Sequence, residues 1–375
     1  MVTPADVAKI AAGYKPASIR IGCLGGHSAL DICQGAKLEG FETVVVAQRG
    51  RDKTYSHYYK SKDGKGCVDH VILVDTFADI VKPEVQAQLR KLNVIMVHSR
   101  YFWVYCDYKQ IENDFEVPIF GNRVLVRKEE RGEPKNQYFL LKQAGIKLPK
   151  QFKNPKAIDR LVMVKANEAD RGYERAFFLV NSYKEYQKTG LELVKKGSVT
   201  MASLEQAVIE EFVLGPQLNL NFFYSPLRAQ VELLGTDMRR QTNIDGLLRL
   251  TAPEQIELLK HTSPKYIENG HVAITIKESL LEKAYAAAEK FVATVGKYYP
   301  PGMIGPFALQ GAITAGPPSE ELVIFDVSMR MPGSPGTMFT PYTGYLYGEN
   351  ISVGRRIARE IKSAIKQKKL SILLT

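Results

Sequence analysis

Two oxygen-bearing side chains stand inside otherwise apolar, strand-like stretches, where an unsatisfied oxygen is costly. Residues 307–314 and 321–328 flank Ala-Gly-Pro-Pro-Ser-Glu, a strong turn segment. A hairpin turning near residue 318 sets Gln310 opposite Asp326. Strand alternation then puts Asp326 and Ser328 on one face, with Val323, Phe325 and Val327 on the other. Mg²⁺ would satisfy such a pair, because it takes oxygen ligands and completes its shell with phosphates and water. The competing reading pairs Asp326 with Arg330 on a polar sheet face.

Three further groups carry possible chemistry. In Gly-Cys-Leu-Gly-Gly-His-Ser-Ala-Leu-Asp, the pair Gly25 and Gly26 separates a strand from a helix. Glycines there allow close backbone approach, and the helix N-terminus behind them attracts anions. His27 sits at the mouth of that turn, able to bond a phosphate or a base; a surface histidine in a turn is the alternative. Lys165 ends the strand Arg-Leu-Val-Met-Val-Lys, where it can reach nucleotide phosphates or simply be exposed. Glu210 and Glu211, just before Phe212 and Val213, can hold a ribose or amino group while the strand backbone pairs with adenine. The stretch 236–246 follows a strand and carries Asp237, Arg239, Arg240, Asn243 and Asp245. Its arginines suit phosphate or carboxylate recognition, and a polar connecting loop is the alternative.

The elements that position these groups fall into two patterns. Residues 19–24, 43–47, 71–74 and 94–97 read as short apolar strands, with helical segments between several of them. Ser28 is expected to cap the helix 29–38, with Asp31 closing the cap. This alternation predicts a doubly wound parallel sheet, whose ligands sit at the carboxyl ends of strands. Beyond about residue 125 the pattern changes to longer strands at 160–165, 176–180, 206–213, 218–224, 230–236, 307–314 and 321–328. Helices are expected at 137–144, 182–196, 279–298 and 347–369, and the whole reads as an α+β portion.

Composition narrows the function. The 375 residues exceed one usual core, and the net charge of +11 favours anionic ligands. No apolar run is long enough for a membrane span, and no secretory signal is recognisable, so the cytoplasm is expected. Cys23, Cys33, Cys67 and Cys106 form no CxxC pair, which argues against a thiolate metal site. The cluster Lys362, Lys366, Lys368 and Lys369 reads as a solvated helix face, and nothing supports nucleic-acid binding. Gly22, Gly25 and Gly26 do not make GxGxxG, which speaks against a nicotinamide-dependent dehydrogenase.

The order of motifs is informative. IGCLGGHSALDICQGAKLEGF, VPIFGNR, EEFVLGPQLNLNFFYSPL, VELLGTD, PPGMIGPFALQ and FDVSMRMPGSPGT together resemble the archaeal 5-formaminoimidazole-4-carboxamide ribonucleotide synthetase family, from about residue 19 to 362. The resemblance implies a Rossmann-like (pre-ATP-grasp) domain over residues 1–125, followed by an ATP-grasp domain over 126–375. Residues 160–215 would form the smaller ATP-clamping subdomain. It implies ATP, Mg²⁺ or Mn²⁺, formate and 5-aminoimidazole-4-carboxamide ribonucleotide, reacting through formyl phosphate, and a homo-oligomer. By position, His27, Ser28, His271 and either Ser99 or Tyr101 would bind the substrate. Lys165, Glu210, Glu211, Val213 and Gln241 would bind ATP, and Gln310 with Asp326 the metal; no catalytic residue is assigned. The chain departs from the family at Ala169-Asp170-Arg171-Gly172-Tyr173, which replaces a glycine-rich phosphate loop. It also has Gln241 and Asp326 for glutamates and His271 for an asparagine. An ATP-grasp ligase with another carboxylate or amine, or an inactive nucleotide-binding protein, stays open on these residues alone.

Overall fold

The computed structural model describes residues 2–167, 169, 175–262 and 267–375. The first layer is a parallel sheet of β1 (Arg20–Leu24), β2 (Glu42–Gln48), β3 (His70–Val74), β4 (Val94–Val97) and β5 (Ile119–Phe120). Its spatial order is β3-β2-β1-β4-β5, with every neighbouring pair parallel. Val44, Val45, Val46, Ile95 and Met96 are fully buried, as expected of strands covered on both faces. The order reverses between β1 and β4. The crevice beyond their carboxyl ends is where such a sheet takes its ligand.

The second layer is antiparallel. It comprises β9 (Gln217–Ser225), β10 (Gln230–Gln241), β11 (Glu268–Ile274), β12 (Gly305–Thr314) and β13 (Glu321–Ser328), in the order β11-β10-β9-β12-β13. The long helix Leu281–Tyr298 buries Ala284, Ala288, Phe291 and Val295 at helical spacing. Phe291 and Phe222 both stack on Phe307 of β12, fixing that helix to the sheet. A small sheet, β7-β6-β8, stands to one side: β6 (Val162–Asn167), β7 (Arg175–Val180) and β8 (Val208–Glu211). Among the described residues, no helix is long and apolar enough to cross a membrane.

Five expectations need correction. Ser28 does not cap the helix Ala29–Leu38: its φ is 68°, and its hydroxyl donates to the Pro332 carbonyl. The Asp31 carboxylate instead accepts from Gly354 N at 3.2 Å, so both side chains serve long-range contacts. Phe325 does not face away from Asp326. The register shifts between Gln310 and Gly311, pairing Gln310 with Asp326 but Gly311 with Ile324. That bulge leaves Phe325 unpaired and turns it into the cleft beside Asp326. The stretch after residue 236 is no connecting loop, because β10 continues through Gln241 and pairs with β11. The helix expected from residue 347 begins at Val353.

The helix Val353–Lys366 returns to the first layer and packs on Ala29–Leu38. The contact is backbone to backbone: a Cβ on Gly35 would lie 2.1 Å from Arg355 N, and one on Gly354 would lie 2.2 Å from the Asp31 carbonyl. From this helix the buried Arg356 reaches the second layer, bonding Glu232 at 2.6 and 3.0 Å and lying 4.1 Å from the Phe223 ring centroid. The Gly354→Ala protein should lose about 2 kcal/mol of stability, within the range of core overpacking. Denaturant unfolding measures it, and an unchanged midpoint would mean that these helices do not meet at Gly354.

Candidate active site

A cleft of about 580 Å³ opens where the three sheets converge. Each layer contributes one wall. The parallel layer supplies His27 after β1 and Tyr101 after β4. The small sheet supplies Lys165, Glu210, Glu211 and Val213. The antiparallel layer supplies Asn219, Asn221, Arg239, Gln241, His271, Gln310 and Asp326.

At one end, cations and carboxylates are interleaved. Lys165 and Glu210 form a buried ion pair. The Tyr138 hydroxyl donates to Glu210 at 3.0 Å and accepts from Arg131 at 3.1 Å. Arg131 in turn bonds Asp326 at 3.2 Å. The Lys165 ammonium also lies 5.1 Å from the Phe325 ring centroid. Burial holds the Lys165 pKa below the usual lysine range, against the pull of Glu210. Burial opposes ionisation of Asp326, but Arg131, Arg239 and Lys165 outweigh it and keep its pKa low. Asp326 therefore pairs with Arg131, and Arg330 pairs with Glu129 at 3.3 Å. The expected alternative pair of Asp326 with Arg330 is not formed.

Gln310 lies directly across from Asp326 in the register. Its Oε1 accepts from Arg239 at 2.5 Å, and its amide donates to Ser328 at 3.0 Å. One carboxylate and one amide oxygen suit a hard divalent cation that draws its remaining ligands from phosphates and water. Among the described residues, no group of three or more His, Cys, Asp or Glu side chains could form an all-protein cage.

At the other end, two histidines face the cleft in opposite charge states. Burial, helped by Arg330, pushes the His27 pKa down to about 3, so its imidazole is neutral. Its Nδ1 is buried without a hydrogen-bond partner among the described residues. Burial also opposes charge on His271, yet bonds to Asp237 at 2.5 Å and Glu268 at 2.8 Å prevail, raising its pKa to about 9. Asn219 and Asn221 donate to Asp237 at 2.7 and 2.6 Å and hold that carboxylate in place. Glu268 also pairs with Arg239 at 3.2 Å, which connects this group to Gln310.

The cleft thus gathers most of the sequence-selected residues. Ser28 and Ser99 are not among its lining. Ser99 is buried and accepts from Tyr101 N at the start of the helix Arg100–Tyr105, while Tyr101 itself lines the cleft. Glu211 meets Arg160 at 3.3 Å at the rim. The altered phosphate loop lies outside the described residues, apart from Ala169. Sequence reading missed Arg131, Tyr138, Glu268, Asn219 and Asn221. The asparagines alternate with Leu218, Leu220 and Phe222, a period-2 signal that could have been used.

Comparison with known proteins gives this cleft its context. A domain of unknown function, DUF1297, matches residues 185–375, and a protein family of unknown function, DUF1246, matches residues 21–152. The 5-formaminoimidazole-4-carboxamide-1-(β)-D-ribofuranosyl 5′-monophosphate synthetase of Methanocaldococcus jannaschii is 39% identical, over 98% of each chain. Its counterpart in Methanosphaera stadtmanae is 38% identical, over 99% of this chain and 98% of that one. The chain belongs to this synthetase family. An IMP biosynthesis protein PurP from Thermococcus kodakaraensis has a similar structure, with a TM-score of 0.71 and 27% identity over 95% of this chain and 100% of that chain. Phosphoribosylglycinamide synthetase from Anaerococcus prevotii shares the fold, with a TM-score of 0.55 at 15% identity, over 92% of this chain and 75% of that one. The synthetase family therefore has the ATP-grasp architecture of ATP-dependent ligases, and the parallel layer of this member is its Rossmann-like part.

In this member of the synthetase family, the raised pKa of His271 predicts a pH signature. A pKa above the free value of 6.5 means that its ion pairs stabilise the fold fully below about pH 6.5. That contribution is lost as pH rises through about 9. Titration of the His271 ring by NMR should therefore show a midpoint near 9, moving down in the Asp237→Asn protein. A wild-type midpoint near 6.5 would mean that the two carboxylates do not hold the imidazolium.

Proposed function

We propose that this protein formylates the 5-amino group of 5-aminoimidazole-4-carboxamide ribonucleotide, using ATP and formate, in purine (IMP) biosynthesis. The single observation that carries this reading is the shared cleft: Lys165, Arg131, Gln310 and Asp326 at one end, His27 and Tyr101 at the other. A ligase of this class needs both ends in one enclosure, because an acyl phosphate must meet an amine before water does. The names of the relatives support the product.

Formate attacks the γ-phosphorus of ATP, ADP leaves, and formyl phosphate forms. The amine nitrogen then attacks the formyl carbon, phosphate leaves, and the nitrogen loses a proton. Gln310 and Asp326 would hold Mg²⁺ or Mn²⁺, which when bound neutralises phosphate charge. Lys165, Arg131 and Arg239 are the fixed cations for the charge that develops on the transferring group. Glu210 and Tyr138 hold Lys165 and Arg131 in place. The segment Glu210–Val213, which lines the cleft, supports adenine, with Gln241 near the nucleotide. His27, being neutral, contributes a hydrogen bond rather than a charge to the substrate base. His271 brings an imidazolium to the same wall. The reading places the protein in the cytoplasm as a homo-oligomer, with no nucleic-acid or membrane partner.

Phosphate release from ATP should require both formate and the aminoimidazole nucleotide. Release that proceeds with another carboxylate but not with formate would overturn the assignment. The Asp326→Asn enzyme should lose at least about 100-fold in kcat, the scale of a lost electrostatic stabiliser, while its melting temperature moves only slightly. Activity persisting in this variant at saturating Mg²⁺ would remove Asp326 from the metal site.

A further inference from the structure

Five of the cations that line the cleft are already matched by carboxylates. Lys165 faces Glu210, Arg131 faces Asp326, Arg239 faces Glu268, His271 faces Asp237 and Glu268, and Arg330 faces Glu129. A phosphate monoester brings roughly 1.5 to 2 negative charges at neutral pH. In the proposed reaction Lys165, Arg131 and Arg239 serve the transferring phosphoryl group, so a second phosphate calls for a further cation, and one held in place by neutral groups keeps its full charge for it.

Arg51 is such a cation. It follows the carboxyl end of β2 and is exposed. Its guanidinium carbon lies 5.7, 5.9 and 5.8 Å from the ring centroids of Phe77, Tyr101 and Tyr105. Its Nη2 donates to the Tyr101 hydroxyl at 3.2 Å, and Tyr105 gives it a second hydrogen-bond partner. Among the described residues, no carboxylate pairs with it. Phenols orient a guanidinium without cancelling its charge. Five N–H donors exceed what two phenols occupy, so donors remain for an anion.

Tyr101 connects this cation to the substrate wall. It lines the cleft, and its ring centroid is 6.4 Å from that of His27. Gly26 lies flat against it: a Cβ there would come within 1.9 Å of the ring. His27 and Tyr101 line the cleft, and Arg51, outside that lining, continues the row outward from Tyr101 beyond the carboxyl ends of β1, β4 and β2. The row begins at the buried Nδ1 of His27, which has no hydrogen-bond partner among the described residues.

We infer that Arg51 recognises the 5′-phosphate of the nucleotide substrate at the rim, so that the base lies along Tyr101 and the reacting amine points inward past His27. This deepens the function proposed above and rests on it. The arrangement makes Arg51 a specificity residue: it distinguishes a ribonucleotide from its riboside and takes no part in the chemistry.

The test compares the 5-aminoimidazole-4-carboxamide ribonucleotide with the corresponding riboside in steady-state kinetics. Arg51→Gln should raise KM for the nucleotide at least about tenfold, the scale of a lost charge-assisted hydrogen bond, with kcat within about twofold. Its kcat/KM for the riboside should stay unchanged, and Arg51→Lys should recover part of the nucleotide KM. An unchanged nucleotide KM would overturn the inference. So would an equal loss for nucleotide and riboside, which marks a structural role. Calorimetric titration with ribose 5-phosphate separates this from the proposed reaction. If formate-dependent turnover is absent in the wild type but ribose 5-phosphate binds it and not Arg51→Gln, the reaction is wrong and the phosphate site stands. Equal binding to both proteins sinks the site.

Discussion

Charge compensation without water is the constraint on which the cleft depends. Lys165, Arg131 and Asp326 stand where desolvation alone would drive each toward its neutral form. Arg131 and Asp326 keep their charge because each meets an opposite charge, and Glu210 opposes the loss of charge at Lys165, with Tyr138 bridging Glu210 and Arg131. Such a chain adds little net stability, since desolvation offsets most of its Coulomb attraction. What it provides is a set of dipoles and charges already fixed before a triphosphate arrives, so little reorganisation is left to do during the reaction.

The same constraint explains the two unlike histidines. His27 is enclosed, forms no ion pair among the described residues and is neutral, whereas His271 is clasped by Asp237 and Glu268 and is charged. Their environments, not their residue type, set these states. The supporting asparagines on β9 are part of that environment, since they keep Asp237 oriented toward the imidazole.

The sequence was most legible where periodicity carried the signal. The register of Gln310 with Asp326 in the hairpin of β12 and β13 followed from counting outward from the turn, although the pairs nearer the turn are one residue out of that count. The parallel strands showed as apolar runs. The bulge at Phe325 was not legible, because one extra residue in a strand leaves no mark in composition. Nor was β11, whose polar residues pair along an exposed edge and show no clean alternation. Ser28 resembled a cap locally, but tertiary bonds to Pro332 and, from Asp31, to Gly354 took precedence. Arg131 lies between short helices with no pattern around it, so only its contacts reveal it.

The return of the helix Val353–Lys366 to the first layer has a consequence for how the protein could be taken apart. Gly35 and Gly354 meet through bare backbone, and Arg356 carries the joint on to Glu232 in the second layer. A fragment ending near residue 125 would leave the apolar stripe of Ile32, Cys33 and Ala36 uncovered, and the remainder would bare the matching apolar face of Val353, Ile357, Ala358 and Ile361. Neither half is a transplantable module, so any lineage that recombined them would have had to exchange both sides of that seam together.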